Sequence, residues 1–364
     1  MAANPFTPSF GAVPPLLAGR RAMIDAILGG LANGPGDPSR ASLFVGARGT
    51  GKTALLATIA NEAAAQGWVA ANVTALDGML EDILERAGEA ADEFIAPTGA
   101  SRLTGLSVAG VSITREMVDA PAGNWRTRMN RLLDGLEPHG IGLLITVDAA
   151  DIDTPELRQL VAVFQHFVRE RRNVALALAG LPQHVSSLLR DKKVSFLRRA
   201  FQHRLGPIEE HEVREALRQT VELSGRTIAS DALDQATTAA GGFAFLIQLV
   251  GYHIWRQRPD HHQIGPAEAE AGIAFARAEM RRMIFETTLA ELSGQDRAFL
   301  VAMTADESVS QMADIASRLG VSANYANQYR SRLIERGLIG PHGRGRVRFE
   351  LPMLREQLLG DSKR

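Results

Sequence analysis

Apolar positions recur along this chain at two spacings, and the switch between them divides it. After an irregular, Pro-rich arm over Met1 to Pro15, apolar residues from Arg20 to Leu31 fall at helical intervals and stop at a Gly, Asn and Pro cluster. Ser42 to Val45 predicts a short strand, and after a Gly-rich turn an Ala-rich helix runs from Lys52 to about Gln66. Trp68 to Val73 predicts a second strand. Ile141 to Val147 and Val174 to Ala179 are nearly continuous apolar runs, the pattern of strands buried on both faces of a parallel sheet. Between them Thr154 as cap, Pro155 at the first helical position and Glu156 open a helix that runs to about Arg171. Strands alternating with helices predict an α/β, doubly wound parallel sheet. Asp92 to Gly123, rich in Gly, Ser, Thr and Val, reads as a hairpin or a variable insertion.

Beyond Pro207 the strand signals cease, and three helices follow over Glu209 to Leu223, Ser230 to Ala240 and Phe243 to Arg256. Pro266 to Leu289 is a longer charged and apolar helix. Met312 to Leu319, the turn Gly320 to Ser322 and Ala323 to Arg336 read as helix, turn, helix. Leu338, Ile339 and Val347 to Leu351 then form a hairpin around Pro341 to Gly345, a winged helix-turn-helix pattern. The expected organisation is an α/β domain over 1–206, a helical lid domain over 207–265, a linker helix over 266–290 and a winged helix domain over 291–364.

A length of 364 residues fits this multidomain plan. The net charge of −1 removes any case for nucleic-acid binding from bulk charge and leaves only a local basic patch to support it. With no cysteine, disulfides, thiolate metal sites and thiol nucleophiles are excluded. The start lacks a basic region followed by an apolar stretch, and the apolar runs are too short to cross a bilayer, so no membrane partner and a cytoplasmic location are expected.

The turn after the first strand carries the chemistry. Gly46, Ala47, Arg48, Gly49, Thr50, Gly51, Lys52 and Thr53 match G-x-x-x-x-G-K-[ST] directly after a strand and before a helix. Glycines let the backbone curl so that its N–H groups face phosphate oxygens, and the helix N-terminus adds favourable potential for an anion. Lys52 is expected to reach the β and γ phosphates of ATP, with the Thr53 hydroxyl on Mg²⁺. Asp148, at the carboxyl end of a buried strand, reads as the carboxylate behind that metal or as a turn cap. Hydrolysis calls for a further carboxylate to orient water, yet Ala149 and Ala150 follow. Asp151 or Asp153 could deputise, or could be surface or capping residues. A weak ATPase is the expectation.

With these features in place, the chain resembles the AAA+ and STAND group of P-loop ATPases, particularly bacterial proteins close to origin-recognition-type initiators, over nearly its whole length. Leu16 to Arg20 are similar to the segment of that group lying against the adenine, which implies adenine contacts from Leu17 and Arg20. Arg198 and Arg199 fall where such ATPases carry an arginine sensing the γ phosphate in the same or a neighbouring subunit, so the resemblance implies a role for Arg199 and a homo-oligomer; a basic helix end is the other reading. The chain departs from the group's pattern with Ala179 and Gly180 in place of a polar first sensor and Ala244 in place of a second-sensor arginine. These departures favour a nucleotide-dependent switch over a motor.

Between Ser310 and Arg364 there are ten Lys or Arg against five Asp or Glu. Asn327 and Arg330 on the second helix could face a groove of duplex DNA, and Arg344, Arg346 and Arg348 on the wing could touch phosphates. Three functions stay open: a switch coupling ATP or ADP state to DNA binding or assembly, a remodelling ATPase, and a signalling protein whose winged helix contacts protein.

Overall fold

The three strands richest in aliphatic residues sit at the centre of one sheet, flanked by two more polar ones. In the computed structural model, which describes residues 3–9, 11–95, 123–150, 154–282, 292–351 and 353–361, these strands are β1 (Ala41–Gly46), β2 (Val69–Thr74), β3 (Leu143–Asp148), β4 (Val174–Gly180) and β5 (Phe201–Leu205). All pair in parallel in the order β2-β3-β4-β1-β5. The inner strands β3 and β4 are buried almost throughout, whereas the edge strands β2 and β5 alternate, as a strand with one partner and one wetter face should. β5 escaped the hydrophobic pattern because only His203 and Leu205 of its five residues turn inward.

The helices of this unit are α1 (Arg21–Asn33), α2 (Lys52–Ala65), α3 (Met79–Ile95), α4 (Trp125–Leu136), α5 (Pro155–Arg169) and α6 (Pro182–Arg190). Leu43, Ile145, Leu176 and Leu178 share a core with Ile83, Met129, Leu160 and Leu188 from α3 to α6. The alternate residues of the strands face α2. Asp92 to Ile95 are the end of α3, not part of a hairpin, because the helical repeat of Leu80, Ile83, Leu84, Ala87 and Ala91 carries the chain on. Residues 96–122 of that expected hairpin or variable insertion lie outside the described residues.

Packing divides the chain into two compact units, one of residues 20–46 and 52–205, the other of 1–19, 47–51 and 206–364. The second contains α7 (Glu210–Leu223), α8 (Ser230–Ala240), α9 (Ala244–Trp255) and α10 (Pro266–Met280), with a two-stranded parallel pair β6 (Thr227–Ile228) and β7 (Gln263–Ile264). The expected linker helix is part of this bundle: Ala269, Ile273, Ala276 and Met280 are buried in the same core as α7 to α9, and a residue with a side chain at Gly272 would collide with the backbone of Ile254. Residues 283–290 of that expected helix lie outside the described residues. The N-terminal arm, placed with the α/β domain from sequence, belongs to this helical unit. Phe6 is 2% exposed and lies over Gly251, and Asn4 Nδ2 donates to the Tyr252 carbonyl at 3.0 Å. Burying one such phenyl ring contributes roughly 1.5–3 kcal/mol.

The C-terminal residues form α11 (Gly294–Met303), β8 (Val309–Gln311), α12 (Met312–Leu319), α13 (Ala323–Glu335), β9 (Ile339–Pro341), β10 (Arg346–Phe349) and α14 (Leu354–Asp361). The hairpin β9–β10 takes up β8 as a third antiparallel strand. Gly320, with φ +66, ends α12 in the left-handed conformation, and the Ser322 hydroxyl caps α13 by accepting from Tyr325 N at 3.3 Å.

Candidate functional site

The Gly-rich turn joins β1 to α2, as its position after an apolar strand predicts. Gly49 and Gly51 have φ of +78 and +86, a region that side chains with a Cβ enter only at a cost. Thr50 ties the curl by donating its hydroxyl to the Ala47 carbonyl at 2.8 Å, while Arg48 is exposed. At the base of the turn Lys52 Nζ donates to the Gly46 carbonyl at 2.9 Å, so the ammonium is folded back across the mouth of the loop.

Thr53, the first-turn residue of α2, donates its hydroxyl to Asp148 Oδ2. The other carboxylate oxygen of Asp148 accepts from Ala149 N at 2.8 Å. A hydroxyl and a carboxylate brought together are hard oxygen donors of the kind Mg²⁺ takes. No group of three or more His, Asp or Glu residues that could cage a metal alone occurs among the described residues, so phosphate oxygens and water would complete such a shell.

The turn after Asp148 presents no carboxylate at its first position, where Ala149 is exposed. Ala149 adopts a φ of +53, and Ala150 is fully buried with its N–H donating to the Ala179 carbonyl at 2.8 Å. A Cβ on Gly180 would lie 2.8 Å from the Ala150 carbonyl oxygen. The end of β4 is thus closed against this turn, with no room for a polar first sensor. Asp151 and Asp153 lie outside the described residues.

The tip of the loop packs with the start of α9. Phe245 N donates to the Gly49 carbonyl at 3.2 Å, and a Cβ on Gly51 would stand 3.0 Å from the Ala244 Cβ. Ala244 itself is half-buried, and the close approach leaves little space for a side chain at position 51. Gly19, with φ +64, is pressed against Ile208 and Glu212 at the start of α7, which holds the preceding segment with half-buried Leu17. Arg20 caps no backbone group of α1 with its side chain and is 6% exposed.

Arg199 is not brought to this site. Phe201 pairs with Ser42 and Leu205 with Gly46, so roughly 13 Å of strand separates the start of β5 from the level of the loop. Arg199 lies still earlier, at the amino end of the sheet, where it lines a cavity of about 470 Å³ with Arg40 and Phe196. This geometry thus places Arg199 before the start of β5, toward the end of the sheet opposite Gly46.

A second cavity, of about 510 Å³, adjoins Thr53 and Asp148 on the α2 face of β2 and β3. Its floor includes Asn72 and Thr146, whose side chains are hydrogen-bonded across the strands, and its rim includes Asp77 and Asp82. Sequence reasoning passed over these residues. The available signal was the pair of polar side chains in otherwise apolar strands.

In the C-terminal unit Asn327, Arg344 and Arg346 are exposed and Arg330 is half-buried. Arg348 is half-buried, and its Nε donates to Glu350 at 2.9 Å, so part of its charge is already matched. No helix among the described residues is long and apolar enough to cross a membrane.

The sheet order, the phosphate-type loop after β1 and the helical unit together define the fold of a P-loop ATPase of the AAA+ type. A Walker-type ATPase of Pyrococcus abyssi is similar over 94% of this chain and 96% of its own, with a TM-score of 0.66 and 14% identity. The ORC2 protein of Aeropyrum pernix in its ADP form is similar over 98% of this chain and 97% of its own, with a TM-score of 0.54 and 14% identity. Residues 282–358 match a family described as a domain of unknown function, DUF8462. No curated protein matches the chain in sequence.

Proposed function

We propose that this chain binds ATP with Mg²⁺ through Gly46 to Thr53, hydrolyses it slowly, and uses the nucleotide state to control a C-terminal winged helix that binds duplex DNA or directs assembly. The observation that carries the reading is the convergence of Lys52, Thr53 and Asp148 at the mouth of a loop with two left-handed glycines. Lys52 would neutralise the β and γ phosphates, and Thr53 and Asp148 would hold the metal. Leu17 and Arg20 are assigned to the adenine side. Slow turnover fits Ala149 and Ala150, which offer no group to orient water.

The hydrogen bond from Phe245 to the Gly49 carbonyl supports a switch, since any adjustment of the loop around phosphate is felt by the first turn of α9. Arg199, remote from the loop of its own subunit, is assigned to the nucleotide of a second copy in a homo-oligomer. Asn327 and Arg330 would meet the groove, with Arg344, Arg346 and Arg348 on phosphates. The Arg348–Glu350 pair favours a second reading, in which the unit contacts protein in signalling or remodelling. A mobility assay with random duplex DNA, run without nucleotide, with ADP and with a non-hydrolysable ATP analogue, tests the switch. Binding that changes between the three states supports it, and identical or absent binding in all three rejects the DNA role.

A further inference from the structure

The cavity beside Thr53 and Asp148 contains a carboxylate that the phosphate loop and the end of β3 do not supply. We infer that Asp77 is the general base that orients and deprotonates the water attacking a bound nucleoside triphosphate. The inference rests on the nucleotide reading above.

β2 and β3 run in register with Thr74 opposite Asp148, and Ala75 N donates to the Asp148 carbonyl at 3.0 Å. The chain leaving β2 therefore begins its turn at the level of the metal-side carboxylate, and Asp77 follows three residues after Thr74 on the rim of the same cavity. That cavity has three carboxylates. Asp148 is engaged by Thr53 and by Ala149 N, and Asp82 is paired with Arg86 at 2.6 Å. Asp77 makes no hydrogen bond or ion pair with any described residue and is exposed to the cavity's solvent, so its oxygens are available to water.

The frame around Asp77 is held on both sides. Leu76 N donates to the Thr74 carbonyl at 2.8 Å. Gly78 N and Leu80 N donate to the two oxygens of Glu156 at 3.0 and 2.8 Å, which ties the start of α3 to the first turn of α5. A base must be positioned before its proton affinity matters, and these bonds provide the positioning.

In the step, the water oxygen forms a bond to the γ phosphorus while Asp77 takes one water proton. The bond from that phosphorus to the β–γ bridging oxygen breaks, its electron pair leaves with ADP, and Asp77 later returns the proton to solvent. Orthophosphate and ADP are the products.

Phosphate release by the full chain is measured with ATP and Mg²⁺ for wild type, Asp77→Asn, Asp77→Glu, Asp82→Asn and Lys52→Ala, with affinity for a fluorescent ATP analogue measured in parallel. General-base loss is worth about 100-fold in rate, so Asp77→Asn should lose turnover on that scale while keeping its affinity. Asp77→Glu should retain turnover above Asp77→Asn, and Asp82→Asn should resemble wild type. Wild-type turnover in Asp77→Asn, loss of nucleotide affinity in both Asp77 variants, or wild-type turnover no higher than that of Lys52→Ala would each overturn the assignment. Failure of wild type to bind the analogue would instead sink the nucleotide reading itself, so the two failures are distinguishable.

Discussion

Replacing Gly51 by alanine probes the phosphate loop through its backbone, and Gly67 supplies a matched control. Gly51 and Gly67 have φ of +86 and +85, so an added Cβ meets the same backbone penalty at both positions, roughly 1–2 kcal/mol. Their surroundings differ. The new Cβ at Gly67 would find nothing within 4 Å, whereas at Gly51 it would lie 3.0 Å from the Ala244 Cβ, close enough that α9 or the loop must yield by a few tenths of an ångström. Gly67→Ala should therefore destabilise by about 1–2 kcal/mol, a shift of roughly 2–8 °C in melting temperature for a unit of this size, with unchanged nucleotide affinity. Gly51→Ala should destabilise at least as much and weaken nucleotide binding by about tenfold or more, the scale of one charge-assisted hydrogen bond lost at the phosphates. Scanning calorimetry without ligand and titration with ATP and Mg²⁺ read the two effects separately. Equal nucleotide affinity in both variants would refute the claim that this turn cradles phosphate.

Thr53→Ala should weaken ATP binding in the presence of Mg²⁺ more than in EDTA, because the hydroxyl acts through the metal; an equal loss in both, measured by fluorescent-nucleotide titration, would contradict that role. Removing charge at Arg344, Arg346 and Arg348 together should weaken duplex DNA association and flatten its dependence on salt, which filter binding at several ionic strengths reports. The effect should be smaller for Arg348 alone, already paired with Glu350. His203 is buried against Phe44 at a ring separation of 4.8 Å, and burial holds its basicity below the ordinary value. The unfolded chain then takes up the proton first, so stability is intact above about pH 6.5 and falls as pH drops below it toward the folded-state value. Urea midpoints should be lower at pH 5.5 than at pH 7.5, and His203→Phe should reduce the difference; an undiminished difference would reject the assignment.

The central strands and the loop were legible because each rests on a local signal. An unbroken aliphatic run such as Leu143 to Val147 has few alternatives to a buried strand, and the loop's glycines, lysine and threonine occupy eight consecutive positions. The residues that were missed depend on neighbours distant in sequence. β5 becomes a strand by pairing with β1, although Gln202 and Arg204 give it no apolar run. The pairing of Asn72 with Thr146 requires the β2–β3 register, and the attachment of the arm depends on Phe6 finding the gap over Gly251. Arg199 shows the opposite problem. Its chemistry suits a phosphate, but parallel pairing of β5 with β1 puts the residues preceding β5 at the wrong end of the sheet for its own subunit.

Calorimetric titration of ATP with Mg²⁺ into the wild-type chain and Lys52→Ala decides whether the loop holds a nucleotide. Lys52 lies across the mouth of the loop with its ammonium on the Gly46 carbonyl, and removal of a charged hydrogen-bond donor from bound phosphate is worth about 1.5–3 kcal/mol. Saturable binding by wild type, weakened at least about tenfold in the variant, is the predicted result. Equal heats and equal affinity in the two proteins, or no binding by wild type, would contradict it.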